Sequence, residues 1–122
     1  MKLMDVKRIL QAEVIFGEQL LAKIDVMSIC GSDLMSDVLA FTKDRTLLLT
    51  GLVNPQVIRT AEMIDLVGIV FVRGKRPSDE MVQMAKERNL PLLAAATPLY
   101  ETCGLLYSAG LPGCSMRSEG ES

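Results

Sequence analysis

The sequence predicts a single α/β domain with a mostly parallel five-stranded sheet and helices on both faces. Short apolar runs alternate with amphipathic segments along the whole chain, and this alternation is typical of α/β domains. Most of the apolar runs end at a turn whose residues can also begin a helix. The length of 122 residues suits one domain close to the commonest domain size.

The first half of the chain predicts two helices and three strands. In order, these are a helix over Met4–Gln11, strands over Glu13–Phe16 and Ile24–Ile29, a helix that begins at Leu34, and a strand over Thr46–Thr50. The last of these is a nearly continuous apolar run, as expected for a strand that is covered on both faces. Because no helix separates the first two strands, one of them can run antiparallel and make the sheet mixed.

The second half predicts three helices and two strands with clear start signals. Asn54 and Ser78 can cap two helices, and Thr97 followed by Pro98 is read as a third cap. The two strands are expected over Ile69–Val72 and Pro91–Ala95. We assign residues 1–111 to the domain and expect 112–122 to form a disordered polar tail.

Composition excludes several classes of function. The chain has no His, which removes Ser-His-Asp and Cys-His catalysis and His-ligated zinc sites. Thirteen basic against fifteen acidic residues provide no basic face for nucleic acid. No apolar segment suits a signal peptide or a membrane span, so we expect a cytoplasmic protein.

The three cysteines predict neither a disulfide framework nor a zinc site. Cys30, Cys103 and Cys114 are odd in number and form no Cys-x-x-Cys pair. We expect reduced thiols, with Cys30 and Cys103 in the core. Cys114 falls in the expected tail and is predicted to be the most exposed of the three.

Several segments, taken in order and spacing, resemble one known family. They are the run from Gly31 to Ala40, the strand and turn from Leu48 to Gly51, the stretch from Ala61 to Gly74, and Pro77, Pro91 and Thr97. From Lys2 to Leu111 the chain is similar to the DRTGG domain, a module like the N-terminal domain of HPr kinase/phosphorylase. Asp44-Arg45-Thr46 is followed by Leu47, so the five-residue motif that names the family is not literally present, and the partial match carries no functional weight.

The resemblance implies a non-catalytic regulatory or ligand-sensing module without a cofactor, acting as a homodimer. In other proteins such domains are joined to CBS pairs, to phosphotransacetylase or to a kinase domain, and stand-alone copies look like bacterial or archaeal accessory proteins. This chain lacks a phosphate-binding loop of the Gly-x-x-x-x-Gly-Lys-Ser/Thr type, so kinase chemistry cannot be carried over.

Four turns are predicted at the carboxyl ends of the parallel strands, where ligands bind in open sheets. Glycines there permit close backbone approach, helix N-termini attract anions, and basic side chains complement phosphate. The candidate ligand-binding residues are Gly31, Ser32, Asp33, Gly51, Asn54, Arg73, Gly74, Lys75 and Thr97. The alternative is that these are ordinary turn glycines, caps and solvated charges.

Three function hypotheses follow. The first is a module that binds a small phosphorylated or nucleotide-like metabolite and signals to a partner protein. The second is a structural adaptor or accessory subunit of a redox-enzyme assembly of the hydrogenase type. The third is a small enzyme that uses Asp33, Asp37 and Lys75, although two acids at the start of a helix are more often caps that complement its dipole.

Overall fold

The computed structural model describes residues 1–41 and 45–114, and in them the predicted α/β fold is confirmed. Its elements are α1 (Leu3–Leu10), β1 (Glu13–Phe16), a 3₁₀ turn (Glu18–Leu20), β2 (Ser28–Gly31), α2 (Met35–Phe41), β3 (Thr46–Thr50), α3 (Pro55–Met63), β4 (Gly68–Phe71), α4 (Asp79–Glu87), β5 (Leu92–Ala94) and α5 (Leu99–Ser108). Among these residues, no helix is long and apolar enough to cross a membrane.

The five strands form one mixed sheet in the order β1-β5-β4-β3-β2. Strands β2 to β5 pair in parallel, and β1 pairs antiparallel with β5. The prediction that one of the first two strands makes the sheet mixed is therefore confirmed. All four carboxyl ends of the parallel strands face the same edge of the sheet.

Two apolar clusters lie on opposite faces of the sheet. The first cluster contains buried residues of α1 and α5 with Leu47 and Leu49, and the second contains buried residues of α2, α3 and α4 with Leu48. Successive side chains of a strand point to opposite faces, so the alternation along β3 separates the two clusters. Every residue of β3 is buried, as its apolar run predicted.

Two of the three predicted helix caps are present. The Asn54 side chain accepts a hydrogen bond of 2.9 Å from the Gln56 N–H, and the Ser78 hydroxyl accepts one of 3.3 Å from the Met81 N–H. The third prediction is wrong, because Pro98 occupies the cap position of α5 and no side chain caps that helix.

The second strand begins later than predicted. Residues 24 and 26, which were expected in it, bond instead to the start of the chain through the Leu3 N–H to Ile24 O and Val26 N–H to Met1 O bonds. Pairing with β3 starts only where Ser28 lies opposite Thr46. Ile24 and Val26 pack in the first apolar cluster with α1 and do not belong to β2.

The C-terminal boundary also differs from the prediction. The Ile29 N–H donates to Pro112 O at 2.9 Å, and the Cys114 N–H donates to Ile29 O at 2.8 Å. Residues 112–114 therefore extend the fold at the outer edge of β2, which corrects the expected start of the tail. Cys114 is 3% exposed, so its predicted exposure is wrong. The rest of the expected tail lies outside the described residues.

Candidate functional site

The four predicted turns lie side by side along the carboxyl edge of the sheet. Backbone bonds connect each turn to the neighbouring strand or turn: Ser32 N–H to Leu49 O, Val72 N–H to Thr50 O, and Arg73 N–H to Thr97 O. These bonds are 2.9 to 3.0 Å long. The candidate residues are thus brought to one edge in the order of their strands.

The turn after β2 is tied to the turn after β3 by Asp33. One carboxylate oxygen of Asp33 accepts hydrogen bonds from the Thr50 hydroxyl at 2.9 Å and from the Gly51 N–H at 2.7 Å. The Ser32 hydroxyl accepts a bond of 3.0 Å from the Leu34 N–H at the start of the next segment. Asp33 therefore holds the two turns together, and Ser32 orders the start of the segment that follows β2.

The turn after β4 presents side chains rather than backbone amides. Arg73 and Gly74 both have positive φ values, of 60° and 71°. The amides of 73, 74 and 75 all donate within the protein, to Thr97 O, Ala95 O and Val72 O. What remains for an anion are the exposed side chains of Arg73 and Lys75, which form no ion pair within residues 1–41 and 45–114.

Arg76, next in this loop, is already engaged. Its guanidinium donates two hydrogen bonds to the Glu13 carboxylate, at 2.8 and 2.9 Å. These bonds, and then the positive charge of Arg76, lower the pKa of Glu13 below its ordinary value. The pair anchors the loop after β4 to the first strand.

Asn54 and Thr97 also have structural roles. Asn54 caps α3, as described above. The Thr97 hydroxyl lies 2.8 Å from the hydroxyl of Thr102, which is fully buried and also donates toward Pro98 O at 2.8 Å. Thr102 thereby positions the turn that leads into α5.

A groove of about 850 Å³ lies between the end of β2 and α5. It is lined by Ile29, Cys30, Gly31, Ser32, Asp37, Tyr100, Glu101, Cys103, Gly104, Tyr107, Gly113 and Cys114. Of the nine candidate residues only Gly31 and Ser32 line it. The groove adjoins the first of the four turns, and it has the size and mainly apolar lining of small-molecule sites.

Two tyrosines of α5 give the groove its aromatic character, and sequence reasoning missed them. Tyr100 and Tyr107 are 85% and 69% exposed. They are seven positions apart, which places them on one face of the helix, with Gly104 between them. A Cβ added at Gly104 would meet no atom within 4 Å, so the space between the rings is open. The seven-residue spacing was visible in the sequence, but the other side of the groove, at the end of β2, was not.

The charges along the groove are acidic. Asp37 and Glu101 line it, and none of the basic residues among 1–41 and 45–114 does. The groove therefore suits a neutral or cationic ring better than a phosphate, whereas the exposed Arg73 and Lys75 at the strand edge suit an anion.

The arrangement does not favour the enzyme hypothesis. Asp37 lines the groove, Asp33 is bonded to the turn after β3, and Lys75 belongs to the turn after β4. In the described part of the chain, no three Cys, Asp or Glu side chains are grouped so that they could hold a metal ion. Burial raises the pKa of the Cys103 thiol, which disfavours the thiolate that a nucleophile requires.

Comparison with solved structures identifies a similar fold in a regulatory region. The crystal structure of the CBS and DRTGG domains of the regulatory region of Clostridium perfringens pyrophosphatase, complexed with its activator diadenosine tetraphosphate, matches 91% of this chain with a TM-score of 0.69. Sequence identity is 16%, so the match shows the fold alone. This chain corresponds to 47% of that chain.

Sequence comparisons give the family. No curated protein matches this chain significantly. The family model of the DRTGG domain matches residues 5–109, which includes every strand and helix from β1 to α5. This chain therefore belongs to the DRTGG domain family.

Proposed function

We propose that this chain is a cytoplasmic regulatory module that binds a small phosphorylated or nucleotide-like metabolite and transmits its binding to a partner protein. The observation that carries the proposal is the strand edge where the exposed Arg73 and Lys75 have no ion-pair partner in the described chain, beside an aromatic groove. Family membership supports a regulatory role, and the similar pyrophosphatase region is bound to a dinucleotide activator.

In this proposal the two parts of the site bind different parts of the ligand. The side chains of Arg73 and Lys75 bind the phosphates, because the amides of their turn already donate within the protein. The base stacks against Tyr100 or Tyr107, whose faces are open to solvent. Two strand spacings, roughly 10 Å, separate the ends of β2 and β4, a span that a nucleotide can bridge.

Thermal unfolding in the presence of nucleotides tests the proposal. The panel is AMP, ATP, diadenosine tetraphosphate, adenosine and inorganic phosphate, each at millimolar concentration. We expect the nucleotides to raise the Tm, because a ligand that binds only the folded state stabilises it. If none of the phosphorylated compounds raises the Tm, the proposal is contradicted.

A variant that removes both positive charges tests whether Arg73 and Lys75 bind the phosphates. Arg73→Asn combined with Lys75→Gln should weaken nucleotide affinity about tenfold or more, and Asn is chosen because it tolerates the positive φ at 73. The matched control is Lys23→Gln, an exposed lysine in the segment that leads into β2 rather than out of it. Equal losses in the variant and the control would place the ligand elsewhere.

As a second function we propose an adaptor or accessory subunit in a redox-enzyme assembly, for which the exposed tyrosines support only the binding of a partner protein. Tyr is enriched in protein interfaces and among their energetically dominant residues, and Tyr100 and Tyr107 share one helix face. A stoichiometric enzyme complex purified with the tagged chain, and lost in the Tyr100→Ser/Tyr107→Ser variant, would favour this function. Nucleotide stabilisation of the chain without such a complex favours the first.

We further propose that the module is a homodimer, since symmetric pairs are the commonest oligomers. Sedimentation equilibrium at micromolar concentration checks it. A mass of 13.3 kDa at every concentration contradicts it.

A further inference from the structure

All three cysteines line the same groove, and two of them are placed opposite each other at its outer wall. Ile29 accepts a hydrogen bond from the Cys114 N–H and donates one to Pro112 O. This pattern pairs Ile29 with Gly113 in parallel. Cys30 and Cys114 each directly follow a member of this isolated bridge, so the parallel direction of the two segments makes them lateral neighbours.

Their side chains lie on the same face of the sheet. Ile29 packs in the first apolar cluster, and Cys30, one residue later, packs in the second. Cys114 also belongs to the second cluster, and both thiols are buried, at 8% and 3% exposure. Cys103 packs against the first cluster, on the opposite face. The register and the two clusters therefore indicate that Cys30 and Cys114 are the two cysteines whose side chains are neighbours on one face of the sheet.

The spacing of this pair suits a covalent bond. Adjacent strands lie about 4.8 Å apart, within the range of roughly 4.4–6.8 Å between the Cα atoms of a disulfide. No disulfide joins the cysteines in the structure. We infer that Cys30 and Cys114 are a thiol pair that forms a reversible disulfide, which fastens residues 112–114 to β2. This inference does not depend on the proposed ligand.

The oxidant is a low-molecular-weight disulfide such as oxidised glutathione. Residues 112–114 are held to β2 by the two backbone bonds of Ile29, so breaking this short pairing locally exposes Cys114. Its thiolate attacks the small disulfide and releases one thiol. The Cys30 thiolate then attacks the Cys114 sulfur of the mixed disulfide and releases the second thiol. Both cysteines are oxidised, one small disulfide is reduced to two thiols, and the two protons end on those thiols.

The disulfide would change the groove as well as stability. Cys30, Gly113 and Cys114 line the groove together with residues of α5. A disulfide between Cys30 and Cys114 would hold residues 112–114 against β2, whereas the reduced pair would allow them to separate from it. The cross-link also closes a long loop, which is the case in which disulfides stabilise most in the chain-entropy model.

The experiment incubates the full chain with oxidised and reduced glutathione at several ratios, traps free thiols and measures intact mass and linked peptides. We expect a loss of two hydrogen atoms and a peptide that joins Cys30 to Cys114. Cys103→Ser should give the same product, and Cys114→Ser should not. The oxidised chain should have a Tm higher by about 5 °C or more, reversed by dithiothreitol.

Three oxidation products would overturn the inference. These are a linked peptide that contains Cys103, a disulfide between two copies of the chain, and only mixed disulfides with glutathione. The inference is also overturned if the bond forms in the urea-unfolded chain but not in native buffer under the same oxidising conditions. That result would show that the folded geometry prevents the pairing.

Discussion

The carboxylate of Asp33 accepts a hydrogen bond of 2.7 Å from the backbone N–H of Gly51. Asp33 follows β2 and Gly51 follows β3, so the bond joins two neighbouring turns at the carboxyl edge of the sheet. The same oxygen accepts from the Thr50 hydroxyl at 2.9 Å. A residue that the sequence offered as a ligand contact thus organises the edge on which a ligand would bind.

Replacing Asp33 should therefore cost stability. We expect Asp33→Ala to lower the free energy of unfolding by about 1–2 kcal/mol, because two donors lose a charged acceptor at a partly solvated site. Asp33→Asn should cost less, since its amide oxygen can still accept. Urea unfolding measures both. The control is Asp37→Ala, which removes a carboxylate that forms no hydrogen bond in the described chain, and it should change stability by about 0.5 kcal/mol or less. Equal effects at 33 and 37 would contradict the role of Asp33.

A side chain at position 31 should clash with Cys103. A Cβ at this position would lie 2.5 Å from the Cys103 sulfur. We expect Gly31→Ala to destabilise the protein by about 1–3 kcal/mol through overpacking. Adding Cys103→Ala should recover part of this loss, and a double-mutant cycle measures the recovery. Strictly additive effects would mean that the contact is not the cause.

Gly104 provides the matched comparison. It lies within α5, and an added Cβ would meet nothing within 4 Å. Gly104→Ala should therefore raise the free energy of unfolding by about 0.5–1 kcal/mol, the usual advantage of Ala over Gly inside a helix. A loss of stability instead would show that the space above Gly104 is occupied.

The Glu13–Arg76 pair should contribute to stability in a pH-dependent way. The pKa of Glu13 is lowered in the folded protein, so the contribution is complete above the ordinary value of 4.5 and is lost as the pH falls through the lowered pKa. At low ionic strength, the free energy of unfolding of Glu13→Gln should fall less steeply below pH 4.5 than that of the unmodified chain. Both side chains are exposed, so salt should shrink the difference.

Glu18→Gln is the control for this pH series. Glu18 is exposed and forms no ion pair in the described chain, so its variant should follow the unmodified protein. Asp5 and Asp25 also have lowered pKa values, through Arg8 and Lys2, and their contributions remain in both variants. If Glu13→Gln and Glu18→Gln give the same curve, the pair does not stabilise the loop.

The buried hydroxyl of Thr102 should hold the turn before α5. Thr102→Val keeps the shape of the side chain but removes its bonds to Thr97 and Pro98. We expect a loss of about 1–2 kcal/mol and faster hydrogen exchange in the first turn of α5. Thr102→Ser retains the hydroxyl and should preserve slow exchange. Slow exchange in Thr102→Val, or exchange in Thr102→Ser as fast as in Thr102→Val, would contradict the role of the hydroxyl.

Local signals predicted the parts of the fold that depend on near neighbours. The predicted bounds of β1 and β3 are correct, because the turn residues on either side of a short apolar run mark where the strand begins and ends. The Asn54 and Ser78 caps are correct because each side chain bonds an amide two or three residues away. The cap at Thr97 failed because its hydroxyl meets Thr102, which no capping rule takes into account.

The sequence by itself determined the α/β class, the family and the set of turns at the strand ends. Tertiary structure decided which backbone and side-chain groups of those turns remain available to bind a ligand. The backbone amides of 73–75 are already bonded, while the Arg73 and Lys75 side chains extend into solvent. Tertiary structure also placed Cys114 beside Cys30 and opened a groove against α5. These features join segments far apart in the chain, and short-range periodicity and capping preferences carry no information about such distant pairs.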